Sequence, residues 1–215
     1  MISIISQRTA SLDVDPQRGF TPLCPQELPV AQGDEIAAEL NAQAGFAAFR
    51  LVSQEDHPAQ APWIARSADE IMTPVAGDYP DLDIKWPAHC VVGTVGNLLI
   101  PGLPAPAAYD LVIRKGIDPH KHPYGACYHD QREQESTGLI EWLRAHAVSD
   151  LIVGGLATDY CVKTTVLQLL RAGFRVVVNL AGCRGVAPES TLAAVAAMRA
   201  AGAELAASSA ELVAA

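Results

Sequence analysis

Apolar residues fall along this chain in two alternating patterns, short continuous runs and stripes at helical spacing. The runs predict strands at 10–14 (ASLDV), 46–53 (FAAFRLVS), 109–115 (YDLVIRK), 150–156 (DLIVGGL) and 175–180 (RVVVNL). A further run at 203–208 (AELAAS) predicts a strand that closes the sheet. The stripes predict a helix over 33–44 with Ile36 and Leu40 on one face. A second, over 136–147, carries Leu139, Ile140 and Leu143, with Ser136 as its cap. A third, over 159–172, turns Val162, Val166, Leu169 and Leu170 inward and stops at Gly173. The last spans 188–202.

Continuous apolar strands separated by helices imply an α/β fold, with a parallel sheet covered on both faces. In such a sheet, ligands bind beyond the strand C-terminal ends. The alternation breaks over about 54–108, where Pro58, Pro62, Pro74, Pro80, Pro87, Pro101, Pro104 and Pro106 interrupt any period. A long irregular insert of this kind in a compact domain is usually either functional or disordered. No repeat, linker or low-complexity tract divides the chain, which reads as one domain over 1–215. There is no GxGxxG or P-loop pattern to hold a nucleotide.

Composition narrows the function classes. The formal net charge of -9 offers no footprint for a phosphate backbone or an anionic lipid surface, so neither nucleic acid nor membrane is an expected partner. No run approaches the roughly 18 apolar residues of a membrane helix, and the start MISIISQRTASLDVD lacks the marks of a signal peptide. Cys24, Cys90, Cys127, Cys161 and Cys183 are odd in number and include no CxxC pair. A reducing, cytoplasmic setting is the simpler expectation.

Three strand ends carry chemistry. Asp15 follows the first strand, Lys115 ends YDLVIRK, and Cys161 follows DLIVGGL in the first turn of a helix that Thr158 or Asp159 could cap. Taken singly, these are an ordinary loop acid, a solvated lysine and a core cysteine. Together they place an acid, a cation and a thiol on one edge of the sheet. A helix N-terminus and an ammonium favour thiolate, a carboxylate can carry the thiol proton, and the turn GGLAT offers N–H groups for an oxyanion. The pattern suits acyl transfer.

The same residues carry a resemblance. LDVDPQRGF, SQEDHP, KWPAHC, VIRKGID, GGLATDYCV and AGCRGV occur in this order from residue 12 to residue 186. Together they resemble the isochorismatase-like cysteine hydrolases, and within them the nicotinamidases. The resemblance implies a three-layer α/β/α fold with a six-stranded parallel sheet. It implies a triad of Asp15 (acid), Lys115 and Cys161 (nucleophile) that hydrolyses nicotinamide to nicotinate and ammonia. It implies a cis peptide at Leu156–Ala157 and an oxyanion hole from the N–H groups of Ala157 and Cys161. Phe20 and Trp86 match the aromatic walls around the pyridine ring.

It further implies one divalent metal ion beside the triad, zinc first, with iron or manganese as the other options. Glu55, His57 and His89 match its ligands, with Glu55 standing where the family has aspartate and Asp56 where it usually has tryptophan. After His57-Pro58 the family continues to another histidine and a Ser-Phe pair, whereas this chain reads AQAPWI. His120, His122 and His129 read as solvated loop histidines. The altered segment and the stretch 66–84 keep a second reading in view, an amidase of another small amide or carbamoyl compound. A non-catalytic binding protein of the same fold is a third, against which the complete Asp15, Lys115 and Cys161 set stands. Isochorismate hydrolysis has no need of the cysteine. The expected partner is a small-molecule amide, and self-assembly into a homo-oligomer stays open.

Overall fold

Every residue of DLIVGGL is buried, because this strand, β5 (Asp150–Leu156), runs through the middle of the sheet. The computed structural model describes residues 1–215. In chain order its elements are β1 (Ile2–Ile4), β2 (Thr9–Val14), α1 (Ala37–Ala44), β3 (Phe49–Glu55), β4 (Leu111–Lys115), α2 (Leu139–Ala145), β5, α3 (Lys163–Arg171), β6 (Arg175–Arg184), α4 (Pro188–Ala200), β7 (Glu204–Ala206) and β8 (Leu212–Ala214). Strands β4-β3-β2-β5-β6-β7 form one six-stranded sheet in that order, and all its pairings are parallel. The run at 203–208 does close its edge, through β7.

The side chains of β5 divide by the two-residue period of a strand. Leu151 and Val153 join Leu12, Leu51, Val162, Val166 and Leu169 in a core of 23 buried residues shared with α2, α3 and Met198 of α4. Ile152 faces the opposite side, where it meets Ile4, Val177 and Leu212. Ile36 and Leu40 pack with Leu156 on that side, which also carries α1. The fold is therefore three-layered α/β/α. No helix is long and apolar enough to cross a membrane.

Several local expectations shift. The first helix proper begins at Ala37, after a 3-10 turn at Gly33–Glu35. The second strand begins at Phe49 rather than at 46, because the Ala48 N–H is bound to the Ser6 and Thr9 carbonyls. Ser136 does not cap α2: its hydroxyl accepts from Gly138 N–H and donates to Glu141, and the helix starts at Leu139. Gly173 ends α3 as expected, at φ 91°. The strand read at 175–180 continues to Arg184. A parallel ribbon of β1 and β8 joins the two chain ends and has no counterpart in the sequence reading.

The strand order sets the place of the site. From β2 the chain moves outward through β3 to β4, then crosses back to β5 on the other side of β2 and moves outward again. The reversal lies between β2 and β5, and a crevice opens there at the carboxyl ends of the strands. Gly155 makes the close approach of these two strands possible. A Cβ at that position would stand 2.0 Å from the Val14 carbonyl oxygen, at φ 137°.

Candidate active site

Four neighbouring strands each deliver one polar side chain to this crevice. Asp15 follows β2, Glu55 ends β3, Lys115 ends β4 and Cys161 follows β5. All four are buried in a place where charge must be paired. The Asp15 backbone takes φ 43°, an uncommon conformation outside glycine that clusters at functional sites. Its N–H is held by the Ser53 carbonyl at 3.0 Å, and its Oδ1 accepts from the Ser53 hydroxyl at 2.6 Å. Gln17 fixes the backbone of Glu55 in both directions: its Oε1 accepts from Glu55 N–H at 2.7 Å and its Nε2 donates to the Glu55 carbonyl at 2.8 Å.

The Lys115 ammonium is the hub. Its Nζ lies 2.7 Å from Glu55 Oε1, 3.0 Å from Asp15 Oδ2 and 3.7 Å from Cys161 Sγ, and it donates to the Pro123 carbonyl at 3.2 Å. Burial opposes its charge, but the Asp15 carboxylate, the Cys161 sulfur and the Glu55 carboxylate together raise its pKa well above the ordinary lysine value. Burial likewise works against Glu55, yet Lys115 and His57 hold it well below the usual carboxylate range. Asp15 goes the other way: burial outweighs Lys115 and raises it. Its Oδ2 faces Lys115 across an ion pair but receives no well-directed hydrogen bond, so a lone pair remains free.

Cys161 lies in a wide π-type turn, Thr158–Val162, that precedes α3. Neither Thr158 nor Asp159 caps this turn. The Asp159 carboxylate instead accepts from Val186 N–H, Ala187 N–H and the Ser190 hydroxyl, tying the cysteine segment to the start of α4. The sequence signals favoured a thiolate; the surroundings oppose it. Burial first, and then the carboxylates of Asp15 and Glu55, push the Cys161 thiol well above its ordinary value against the pull of Lys115. Its sulfur lies 3.7 Å from Glu55 Oε1, and reactive atoms of Cys161, Asp15 and Glu55 lie within 4.8 Å of one another. The Leu156–Ala157 bond is cis. The Ala157 N–H takes no part in the turn and loop hydrogen bonds, while its carbonyl accepts from Tyr160 and Val162.

Beside Cys161 lies a small pocket. Phe20 and Trp86 both line it, with Leu28, Tyr124, Tyr160 and Val186. Trp86 donates from Nε1 to the Tyr124 hydroxyl at 3.1 Å, which itself donates to Asp83 at 2.9 Å, so the aromatic wall is anchored. Trp86 also meets Tyr160 edge to face at 4.8 Å. Tyr124 lies in no motif of the sequence reading, and Tyr160 lies within GGLATDYCV without being singled out there.

Next to the triad stands a cluster of imidazoles. His57 and His89 are buried, and their Nε2 atoms lie 2.8 and 3.0 Å from Glu55 Oε2. Asp56 turns outward to Arg114 at 3.0 Å and stays apart from this cluster. His122 overturns the expectation of a solvated loop residue. Its ring is 2 % exposed, and ligand atoms of His57, His89 and His122 lie within 4.8 Å of one another. Burial and the neighbouring His57 hold His122 well below the ordinary histidine value. His120 is exposed and His129 half-buried, outside the cluster. Trp63, from the stretch that reads AQAPWI, is fully buried against the rings of His57 and His122, at 4.6 and 4.4 Å.

Comparison with known proteins agrees with this architecture. Residues 9–210 match the isochorismatase domain. The nicotinamidase of Escherichia coli is 39% identical over 186 residues, 83% of this chain and 85% of that one. A structure of PnC1 from L. infantum in complex with nicotinate superposes with a TM-score of 0.84 at 25% identity, covering 100% of this chain and 99% of that chain. The pyrazinamidase of Pyrococcus horikoshii in complex with zinc has a TM-score of 0.72 at 27% identity, covering 93% of this chain and 98% of the other. The chain belongs to the isochorismatase domain family.

Proposed function

We propose that this chain hydrolyses nicotinamide to nicotinate and ammonia, with Cys161 as the nucleophile. The observation that carries the reading is the convergence of Asp15 and Lys115 on Cys161, whose side chain lines a pocket together with Phe20 and Trp86. Likeness to a nicotinamidase and to a nicotinate complex supports the substrate.

Burial and the neighbouring carboxylates favour the thiol over the thiolate, so the reaction begins with a proton transfer. Asp15 takes the S–H proton on its free Oδ2, for which its raised pKa suits it. The sulfur attacks the carboxamide carbon, and the carbonyl electron pair moves to oxygen, where the N–H groups of Ala157 and Cys161 hold it. The C–N bond breaks as Asp15 returns the proton to the leaving nitrogen, and ammonia departs from a nicotinoyl thioester. Water then gives a proton to Asp15 and attacks the thioester. Cleavage of the C–S bond releases nicotinate and restores the thiol. Lys115 stays charged throughout and keeps carboxylate and sulfur in register.

The imidazole cluster suits a divalent ion. His122 keeps two buried nitrogens without partners, and imidazole with carboxylate is a donor set for zinc, iron or manganese. Glu55, His57 and His89 would hold the ion, which when bound supplies a Lewis-acid contact for a ring nitrogen. The zinc complex of a related pyrazinamidase supports this reading. The deciding test is ammonia release from nicotinamide, benzamide and small carbamoyl compounds by the purified chain, with nicotinate identified by chromatography. Nicotinamide is expected to turn over fastest. Turnover of a carbamoyl compound with none of nicotinamide would replace this substrate by another.

A further inference from the structure

We propose that His122 is itself a ligand of the divalent ion, so that three imidazoles, His57, His89 and His122, join the Glu55 carboxylate in holding it. The inference rests on the reading that this site takes a metal and adds the ligand that neither the sequence pattern nor the family resemblance assigns.

The first support is the tautomer that the backbone imposes. His57 Nδ1 lies 3.0 Å from the Gly116 carbonyl and His89 Nδ1 lies 2.7 Å from the Pro87 carbonyl. A carbonyl oxygen only accepts, so both Nδ1 atoms carry hydrogen. In the neutral rings both Nε2 atoms are then lone pairs, and both face Glu55 Oε2 at 2.8 and 3.0 Å. Acceptors directed at one another at this range need a cation among them, either a proton on each ring or one metal ion shared by all three. A ligating histidine commonly donates its other N–H to a carbonyl, as these two do. Gly116 permits that contact: at φ 72° its Cβ would stand 2.5 Å from His57 Nδ1.

The second support is His122. Neither of its ring nitrogens has a hydrogen-bond partner, although the ring is 2 % exposed. No protein group offsets the desolvation of these two nitrogens, which leaves them free for a ligand that is not protein. Its ring lies nearly parallel to His57, with centroids 5.1 Å apart, and 5.9 Å from His89. Trp63 lies against both His57 and His122, which holds the rings. The segment after His57-Pro58 lacks the further histidine that the family resemblance calls for, and Trp63 occupies it. The loop after Lys115 brings a third imidazole to the same place. It is pinned there by His122 N–H donating to the Asp81 carbonyl at 3.0 Å.

Metal-free wild type, His122→Ala, His122→Gln and the surface control His120→Ala would be titrated with Co²⁺, reading stoichiometry, affinity and the visible ligand-field spectrum. One Co²⁺ per chain is expected for wild type and for His120→Ala, with affinity at least tenfold weaker and an altered spectrum in both His122 variants. X-ray absorption of zinc-loaded wild type, which needs no variant to fold, is expected to count three imidazoles. Two imidazoles, or an unchanged affinity and spectrum in folded His122 variants, would overturn the role of His122 and leave the metal reading standing. A wild-type chain that takes up none of Co²⁺, Zn²⁺, Mn²⁺ or Fe²⁺ would overturn both.

Discussion

Lys115 Nζ stands 2.7 Å from Glu55 Oε1, closer than to the Asp15 carboxylate that the family pattern gives it as partner. One ammonium is thus shared by two buried carboxylates. Glu55 has its other oxygen among the histidine rings. Glu55 therefore joins the nucleophile cluster to the imidazole cluster. Its two carboxylate oxygens divide between the two clusters, Oε1 to Lys115 and Oε2 to the rings.

The thioester assignment is open to a direct check. Cys161→Ala should abolish ammonia release and leave the thermal unfolding transition near that of wild type. Acid-quenched wild type should carry a nicotinoyl group on the Cys161 peptide, seen by mass spectrometry. Activity within tenfold of wild type in Cys161→Ala, about 1.4 kcal/mol in barrier, would exclude Cys161 as nucleophile.

Asp15→Asn separates proton transfer from thiol access. Asn cannot accept the S–H proton, so turnover should fall by at least about 10²-fold, the usual range for losing general-base help. The substitution also removes a negative charge that holds the Cys161 proton in place. Alkylation of Cys161 by iodoacetamide at fixed pH should therefore be no slower than in wild type. Parallel loss of alkylation and turnover would mean that the variant has closed or distorted the pocket.

Lys115→Met tests the shared ammonium. It leaves Asp15 and Glu55 buried without their cation, and breaking a buried pair in this way costs about 3–5 kcal/mol. Urea unfolding of metal-free protein should show a loss of that order. Adding Glu55→Gln should recover part of it, because the two changes share one interaction. Strict additivity of the two changes would deny the coupling.

A pH dependence of stability follows from Asp13, which lies away from the pocket. Its carboxylate accepts from Arg50 at 2.8 and 3.0 Å and from the Tyr109 hydroxyl at 3.0 Å, yet burial pushes it up to about 6 from 3.8. The folded chain thus binds this proton more tightly than the unfolded chain. The contribution is fully present below about pH 4 and is lost as pH rises through about 6. Wild-type stability measured against Asp13→Asn by urea unfolding should fall across that window by roughly 3 kcal/mol, at about 1.36 kcal/mol per pKa unit. A flat difference between pH 4 and pH 7 would contradict this.

What the chain determined by itself was its local periods and the residues at strand ends. The run 150–156 reads as a strand and is one, because a central parallel strand buries both faces and needs continuous apolar residues. Asp15, Lys115 and Cys161 are visible for the same reason, since each follows or ends such a run. The start of β3 was less legible. Phe46 to Ala48 are as apolar as a strand, but the Ala48 N–H is taken by Ser6 and Thr9 across the turn. The β1–β8 ribbon was invisible, because three residues at each chain end carry no period and gain meaning only from each other.

Tertiary structure decided the charge state of the cysteine and the place of His122. Helix position and Lys115 argue for a thiolate, but that argument leaves out Asp15 and Glu55, which reach the sulfur from two other strands. His122 sits in a polar loop sequence, PHKHPYG, that gives no sign of burial. It is buried because the loop is held to Asp81 and roofed by Trp63, both remote in the chain. A hydrophobic period is a property of neighbouring residues and can be read along the chain. Burial, desolvation and an unpaired nitrogen are sums over residues brought together from far apart, and they exist only once the sheet has assembled.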